Sequence, residues 1–200
     1  VIGDVVGHDT AAAAAMGQLR GLLRGIAHYS SAGPAEVLRG LDEAIAQMHS
    51  ETLATAAIAR FECDGTGGRR LRWANAGHPR PMLLAPDGTV TVLGGVTGDL
   101  MLGVDPTAVR TESVVPVPPG TTVLLHTDGL VERRGSTLDE GIAALACRLR
   151  DLTGTPLEEL CDGLLRGMLR GTPQDDVALV AVRIADSCAP AGTGTAAAHG

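Results

Sequence analysis

Aromatic side chains are almost absent from this sequence: its 200 residues include one Trp, one Tyr and one Phe. Without stacking rings, and with no stripe of Lys and Arg, the chain has neither the platforms nor the electrostatic footprint of a nucleic-acid binder. Its 16 basic and 23 acidic residues leave a net charge of -7, so no nucleic acid is expected as a partner. No apolar run is long enough to cross a bilayer and no signal peptide is visible, which argues against membrane insertion. The four cysteines, Cys63, Cys147, Cys161 and Cys188, show no CxxC spacing. That removes the usual zinc and redox motifs and leaves reduced thiols in a cytoplasmic protein as the expectation.

What is present is enough for one core: 44% hydrophobic residues and a mean hydropathy of +0.17 suit a single globular domain. The text starts at VIGDVVGHDT, without Met and in mid-strand, and reads as a piece of something longer. Asp4 stands inside that apolar run. A lone carboxylate there is costly unless it is paired, so Asp4 either sits solvated at a strand end or holds a cation.

Helical spacing follows at once. Ala12, Met16, Leu19, Leu23 and Ile26 recur on one face, with Asp9 or Thr10 as the cap. Leu38, Leu41, Ile45 and Met48 repeat the pattern after Pro34, a residue suited to a first helical position. The register then changes. TLATAAIARFE and RRLRWANAGHPRPMLLAP are expected to form a hairpin about CDGTGG, with TVTVL after the turn PDGT. TESVVPVPPGTTVLLHTDGL adds two strands around PPG, and an antiparallel meander is the economical reading. Two further helices are expected, from Leu138 to Leu152 and from Leu157 to Met168, before DDVALVAVRI closes the fold as a central strand. Residues 186–200 are Ala, Gly, Thr and Pro rich and are expected to form a disordered tail. Helices at both ends and strands between them indicate an α+β layered domain over residues 1–185.

One pattern repeats in three places: an acid where an apolar strand meets a loop. These are Asp4 in VIGDVV, Asp128 in VLLHTDGL, and Asp175 with Asp176 in TPQDDVALVAV. Gly129 permits close backbone approach beside Asp128. Each acid alone is an ordinary turn or cap residue. Together they would repel, and a hard divalent cation such as Mn²⁺ or Mg²⁺ resolves such a cluster.

The ordered blocks GDVVGHD, LATAAIARFE, NAGHPRPMLL, LLHTDGLVERR and TPQDDVALVAVR resemble the SpoIIE/RsbU-like branch of the metal-dependent, PPM-type serine/threonine protein phosphatases. The resemblance implies a four-layer αββα sandwich, with two central antiparallel sheets flanked by helices, and two Mn²⁺ or Mg²⁺ ions. It assigns Asp4 as the bridging ligand, the Val5 carbonyl beside it, and Asp128 and Asp175 as ligands completing one ion's shell. These acids would be catalytic through a metal-held water, so none of the cysteines is needed as a nucleophile. Asp176, Gly129, Asn75 and His78 become candidates for supporting the ligands or touching substrate. The implied substrate is a phosphorylated protein, a STAS-domain antagonist of an anti-sigma factor, and helix contacts leave room for a homodimer.

Two departures stand out. The family's upstream GGDWYD-like acidic motif is missing, so the domain is expected to lack its first strands; and GHD replaces the frequent GHG, with Asp9 acting as a helix cap. His8 and His78 read as structural, because hard oxygen-liganded cations rarely need imidazole. In the first helix Gly17, Gly21 and Gly25 form a stripe four residues apart. Close packing is the plain explanation, and an adjustable regulatory helix beside Asp4 is the functional one. The alternative to catalysis is a phosphatase fold that serves as a non-catalytic interaction module.

Overall fold

The computed structural model describes residues 1–48, 51–65, 67–94, 99–132, 135–169 and 175–185. The expected tail, 186–200, lies outside them. In chain order the elements are β1 (Ile2–Val5), α1 (Thr10–Tyr29), α2 (Pro34–Gln47), β2 (Ala54–Cys63), β3 (Arg69–Ala76), β4 (Met82–Leu84), β5 (Val90–Val92), β6 (Glu112–Pro116), β7 (Thr122–His126), α3 (Leu138–Asp151), α4 (Leu157–Met168) and β8 (Leu179–Arg183).

Among the described residues the strands form two four-stranded sheets, ordered β1-β2-β3-β6 and β5-β4-β7-β8, and every pairing between these strands is antiparallel. Strand alternation sorts their side chains into layers. Val5, Ala54, Ala56 and Ile58 face α1 and α2 with Leu38, Leu41 and Ile45. Met82, Leu84 and Leu124 face α3 and α4 with Leu145, Leu149, Leu160 and Leu164. Between the sheets, Leu71 and Trp73 meet Val123 and Ile184, and Ile2 and Ala57 meet Leu125. The expected αββα sandwich is the observed fold.

Local signals place the helices. Asp9 caps α1, accepting the Ala12 N–H at 2.8 Å, and Pro34 opens α2 after Gly33. Thr137 and Glu140 close a capping box on α3, satisfying backbone donors that the first turn leaves free. Four strand and cysteine expectations need correction. The second arm of the expected hairpin is two strands: β3 stays in the first sheet, and the chain crosses to β4 in the second. Strands β6 and β7, read as neighbours around PPG, also lie in different sheets. A strand's period shows which faces are apolar but not which sheet it joins. DDVALVAVRI is no central strand: among the described residues β8 begins at Leu179 and pairs only with β7. Finally, Cys63 is disulfide-bonded, while Cys147 and Cys161 are free thiols as expected. Cysteines without motif spacing can still be joined by the fold; Cys188 lies outside the described residues.

Helix α1 is packed more loosely than the other helices described. Three residues of α3 and four of α4 are buried, yet α1 buries none completely. Its inner face is Ala12, Ala15, Leu19, Leu22, Leu23 and Ile26, all partly covered, whereas Met16 is 40% exposed. The glycine stripe lies on the other side. A Cβ added at Gly17, Gly21 or Gly25 would meet no atom within 4 Å, which corrects the close-packing explanation. Helix α2, by contrast, is tied down by an ion pair that no local pattern announces. Asp42 and Arg110 are 1% and 2% exposed and 2.8 Å apart. Asp42 also accepts the Gly103 N–H at 3.1 Å, and Arg110 donates to the carbonyls of Leu100 and Met101.

Since nothing blocks a methyl at Gly21, Gly21→Ala should stabilise the fold by about 1 kcal/mol, raising the calorimetric melting point by about 2–4 °C. Asp42→Ala leaves Arg110 buried without its partner, and chemical denaturation should report a loss of about 3–5 kcal/mol.

Candidate metal centre

Asp4, Asp128 and Asp175 converge. One carboxylate oxygen from each lies within 4.8 Å of the others. Asp4 comes from β1 in the first sheet, Asp128 follows β7 in the second, and Asp175 precedes β8. The site therefore lies where the sheets meet, beside the inter-sheet contact of Ile2 with Leu125. Asp4 and Asp128 are half-buried and Asp175 is exposed.

The same local device fixes each acid. Asp4 Oδ1 accepts the Val5 N–H at 2.9 Å, Asp128 Oδ1 the Gly129 N–H at 2.8 Å, and Asp175 Oδ1 the Asp176 N–H at 2.8 Å. In each case one oxygen is held by the following amide. Gly129 supplies the close approach. A Cβ there would meet the Asp176 carbonyl oxygen at 2.7 Å and the Asp175 carbonyl oxygen at 3.2 Å, so any larger residue would push the Asp175 loop away from Asp128.

Sequence reading missed Thr127. This residue is 3% exposed; its hydroxyl donates to the Asp176 carbonyl at 3.0 Å and accepts the Ala178 N–H at 2.9 Å. It fastens the segment carrying Asp175 to the end of β7. The available signal was a polar residue between a buried strand and its terminal acid. Asp176 itself is outside the three-carboxylate group. Val5 closes β1 and is buried. Asn75 and His78 are buried and belong to the crossing between the sheets, not to the acidic group.

Electrostatics sharpen the picture. Burial raises the Asp4 pKa above the usual carboxylate value, and the charge of Asp128 raises it further; the Val5 amide opposes this, while Asp175 and Asp176 add to it. Among the described residues none of the three carboxylates is in an ion pair. An unneutralised group of hard oxygen donors, each with a free oxygen and lodged at a sheet junction, fits a divalent cation of the Mn²⁺ or Mg²⁺ type. A cavity of about 570 Å³ runs from Asp4 beneath α1, with Met16, Leu19, Leu23 and Leu102 in its wall and Arg20 and Arg24 also lining it.

Known proteins share this arrangement of elements. The family model for stage II sporulation protein E, SpoIIE, matches residues 1–185. The crystal structure of the RsbU and RsbW domains of a Mycobacterium tuberculosis protein is 31% identical with a TM-score of 0.79, covering 94% of this chain and 51% of that one. This chain thus spans about half of that relative's length. The SiaA PP2C domain of Pseudomonas aeruginosa is 23% identical with a TM-score of 0.71, over 91% of this chain and 74% of that one. The catalytic domain of the serine/threonine protein phosphatase PstP, in complex with two manganese ions, is 20% identical with a TM-score of 0.57, over 92% and 86%. These last two likenesses concern the fold. With the matched span reaching from Val1 to the end of the described residues, the chain belongs to the SpoIIE family, in the SpoIIE/RsbU-like branch of the PPM-type protein phosphatases.

Proposed function

We propose that this domain is a Mn²⁺- or Mg²⁺-dependent phosphatase that hydrolyses phosphoserine or phosphothreonine on a regulatory protein of the STAS-domain, anti-sigma-factor-antagonist kind. The convergence of Asp4, Asp128 and Asp175 carries the reading. Family membership supports the reaction class, and the two manganese ions of the PstP domain support the choice of metal. Asp4 would bridge two ions, the Val5 carbonyl would take a place beside it, and Asp128 and Asp175 would complete one shell. Bound there, divalent ions lower the pKa of a coordinated water and offset charge on the phosphoryl oxygens.

The chain's own residues supply orientation. The Val5, Gly129 and Asp176 amides hold one oxygen of each acid, leaving the other directed by the backbone rather than by a free rotor. Thr127 and the bare Cα of Gly129 keep Asp175 within reach of Asp128. No side chain is required to form a covalent intermediate. Helix α1, with no fully buried residue and a cavity between it and Asp4, is suited to adjust the β1 end of the site, as the reading of Gly17, Gly21 and Gly25 as a regulatory stripe requires.

Phosphate release from a phosphorylated STAS-domain protein should require Mn²⁺ or Mg²⁺. Asp128→Asn should lower it by more than about 100-fold, since even partners behind metal ligands are worth about 10–100-fold. Equal release by Asp128→Asn and the unsubstituted chain in excess Mn²⁺ would falsify the reading. Thermal unfolding gives a separate check. Mn²⁺ at about 100 times its dissociation constant should add about 2.7 kcal/mol, a rise of about 5–10 °C. Asp128→Asn should abolish that rise. Without metal at pH 7 it should melt no lower than the unsubstituted chain, because asparagine keeps the Gly129 hydrogen bond and removes a repelling charge.

A further inference from the structure

The NAGHP segment does more than turn the chain. It begins at the end of β3 in the first sheet and leads to β4 in the second. Asn75 donates its side-chain N–H to the His78 carbonyl at 2.8 Å, and Gly77 holds a φ of +68° where a Cβ would meet Met101 at 2.8 Å. The turn is therefore fixed from both sides. It leaves the His78 imidazole 4% exposed, at the passage from one sheet to the other.

That ring has neighbours in both sheets. Its Nδ1 lies 2.8 Å from Thr55 Oγ1, and Thr55 is the register partner of Asp4. On the other side the ring lies against His126, whose ring disfavours and whose backbone favours a charge on His78. His126 ends β7, two residues before Asp128. Burial and the His126 ring hold the His78 pKa down at about 4, so the ring is neutral near pH 7.

We propose that His78 is a positioning residue for the acidic cluster: its imidazole braces Thr55, beside Asp4, against the end of β7, beside Asp128, and so sets the gap between carboxylates carried by different sheets. The inference rests on the metal reading of that cluster and adds a residue that touches no ligand. Side chains that orient ligands from behind are worth about 10–100-fold in metal affinity. His78 and Thr55 act in series, so removing either breaks the same brace.

The test is calorimetric titration of Mn²⁺ into the purified chain and its variants, with thermal unfolding of each metal-free protein. His78→Ala and Thr55→Val should each weaken Mn²⁺ binding by at least about tenfold. The double variant should be no weaker than His78→Ala alone, because coupled sites do not add. Thr55→Ser, which keeps the hydroxyl, should bind as the unsubstituted chain does, and His78→Asn, which keeps a polar atom near Nδ1, should recover part of the loss. Leu149→Ala, in the core beneath α3, should lower the melting point while leaving Mn²⁺ affinity unchanged. Variants that melt lower but bind Mn²⁺ normally overturn the positioning role alone. Additive losses in the double variant overturn it as well. An unsubstituted chain that takes up no Mn²⁺ overturns the metal reading and the brace with it. Should the unsubstituted chain bind Mn²⁺ but release no phosphate, with the variant pattern intact, the brace stands and only the phosphatase reading falls.

Discussion

Asp4, Asp128 and Asp175 bring carboxylate oxygens within 4.8 Å of one another from two separate sheets, and like charges at that range repel by a few kcal/mol per pair before water screens them. Burial makes the repulsion harder to escape for Asp4, whose pKa is raised first by desolvation and then by Asp128. A fold that accepts this must hold the acids in place by other means. The means are visible: an amide on each carboxylate, a glycine where the Asp175 segment crosses Asp128, and a buried threonine that fastens that segment to β7.

The two halves of the sandwich contribute unequally to that task. Strand β7, which delivers Asp128, lies over a layer in which Leu145, Leu149, Leu160 and Leu164 are fully buried. Strand β1, which delivers Asp4, lies under a helix with no fully buried residue and beside a cavity of about 570 Å³. A site built across such a junction has one firm wall and one compliant wall. Its geometry then depends on whatever couples the walls. The Ile2 contact with Leu125 does so by packing, while the Asp42–Arg110 pair stiffens the first half by tying α2 to a segment whose Leu102 bridges Ala54 on β2.

Much of this was legible in the sequence because the signals are local. Among the described residues periodicity placed all four helices, Asp9 and Pro34 marked two helix starts, and an acid at the end of an apolar run marked each proposed carboxylate ligand. What could not be read was every long-range choice. The strands on either side of NAGHP and of PPG are continuous in sequence yet fall in different sheets, because alternation is the same whichever sheet a strand joins. Arg110 finds Asp42 across 68 positions, and Thr55 finds His78 across 23; no spacing rule connects such pairs. The reading of Gly17, Gly21 and Gly25 as a packing stripe failed for the complementary reason: small residues on a helix permit contact but do not create it. Cys63, placed among free thiols, likewise acquired a partner through the fold.

The interaction-module alternative is best weighed through this same cluster. A scaffold used only for docking has no need of three mutually repelling carboxylates. Asparagine at Asp128 would keep the Gly129 hydrogen bond, since the oxygen that accepts it is retained, and would remove the charge that most raises the Asp4 pKa after burial. The same exchange is open at Asp175, whose Oδ1 accepts only a backbone amide among the described residues. The acids thus carry a cost that a packing or docking role could shed with little change of shape. A hard divalent cation turns that cost into binding energy, because the repelling oxygens become its ligands, and the amides that restrain them limit the reorganisation needed when it binds.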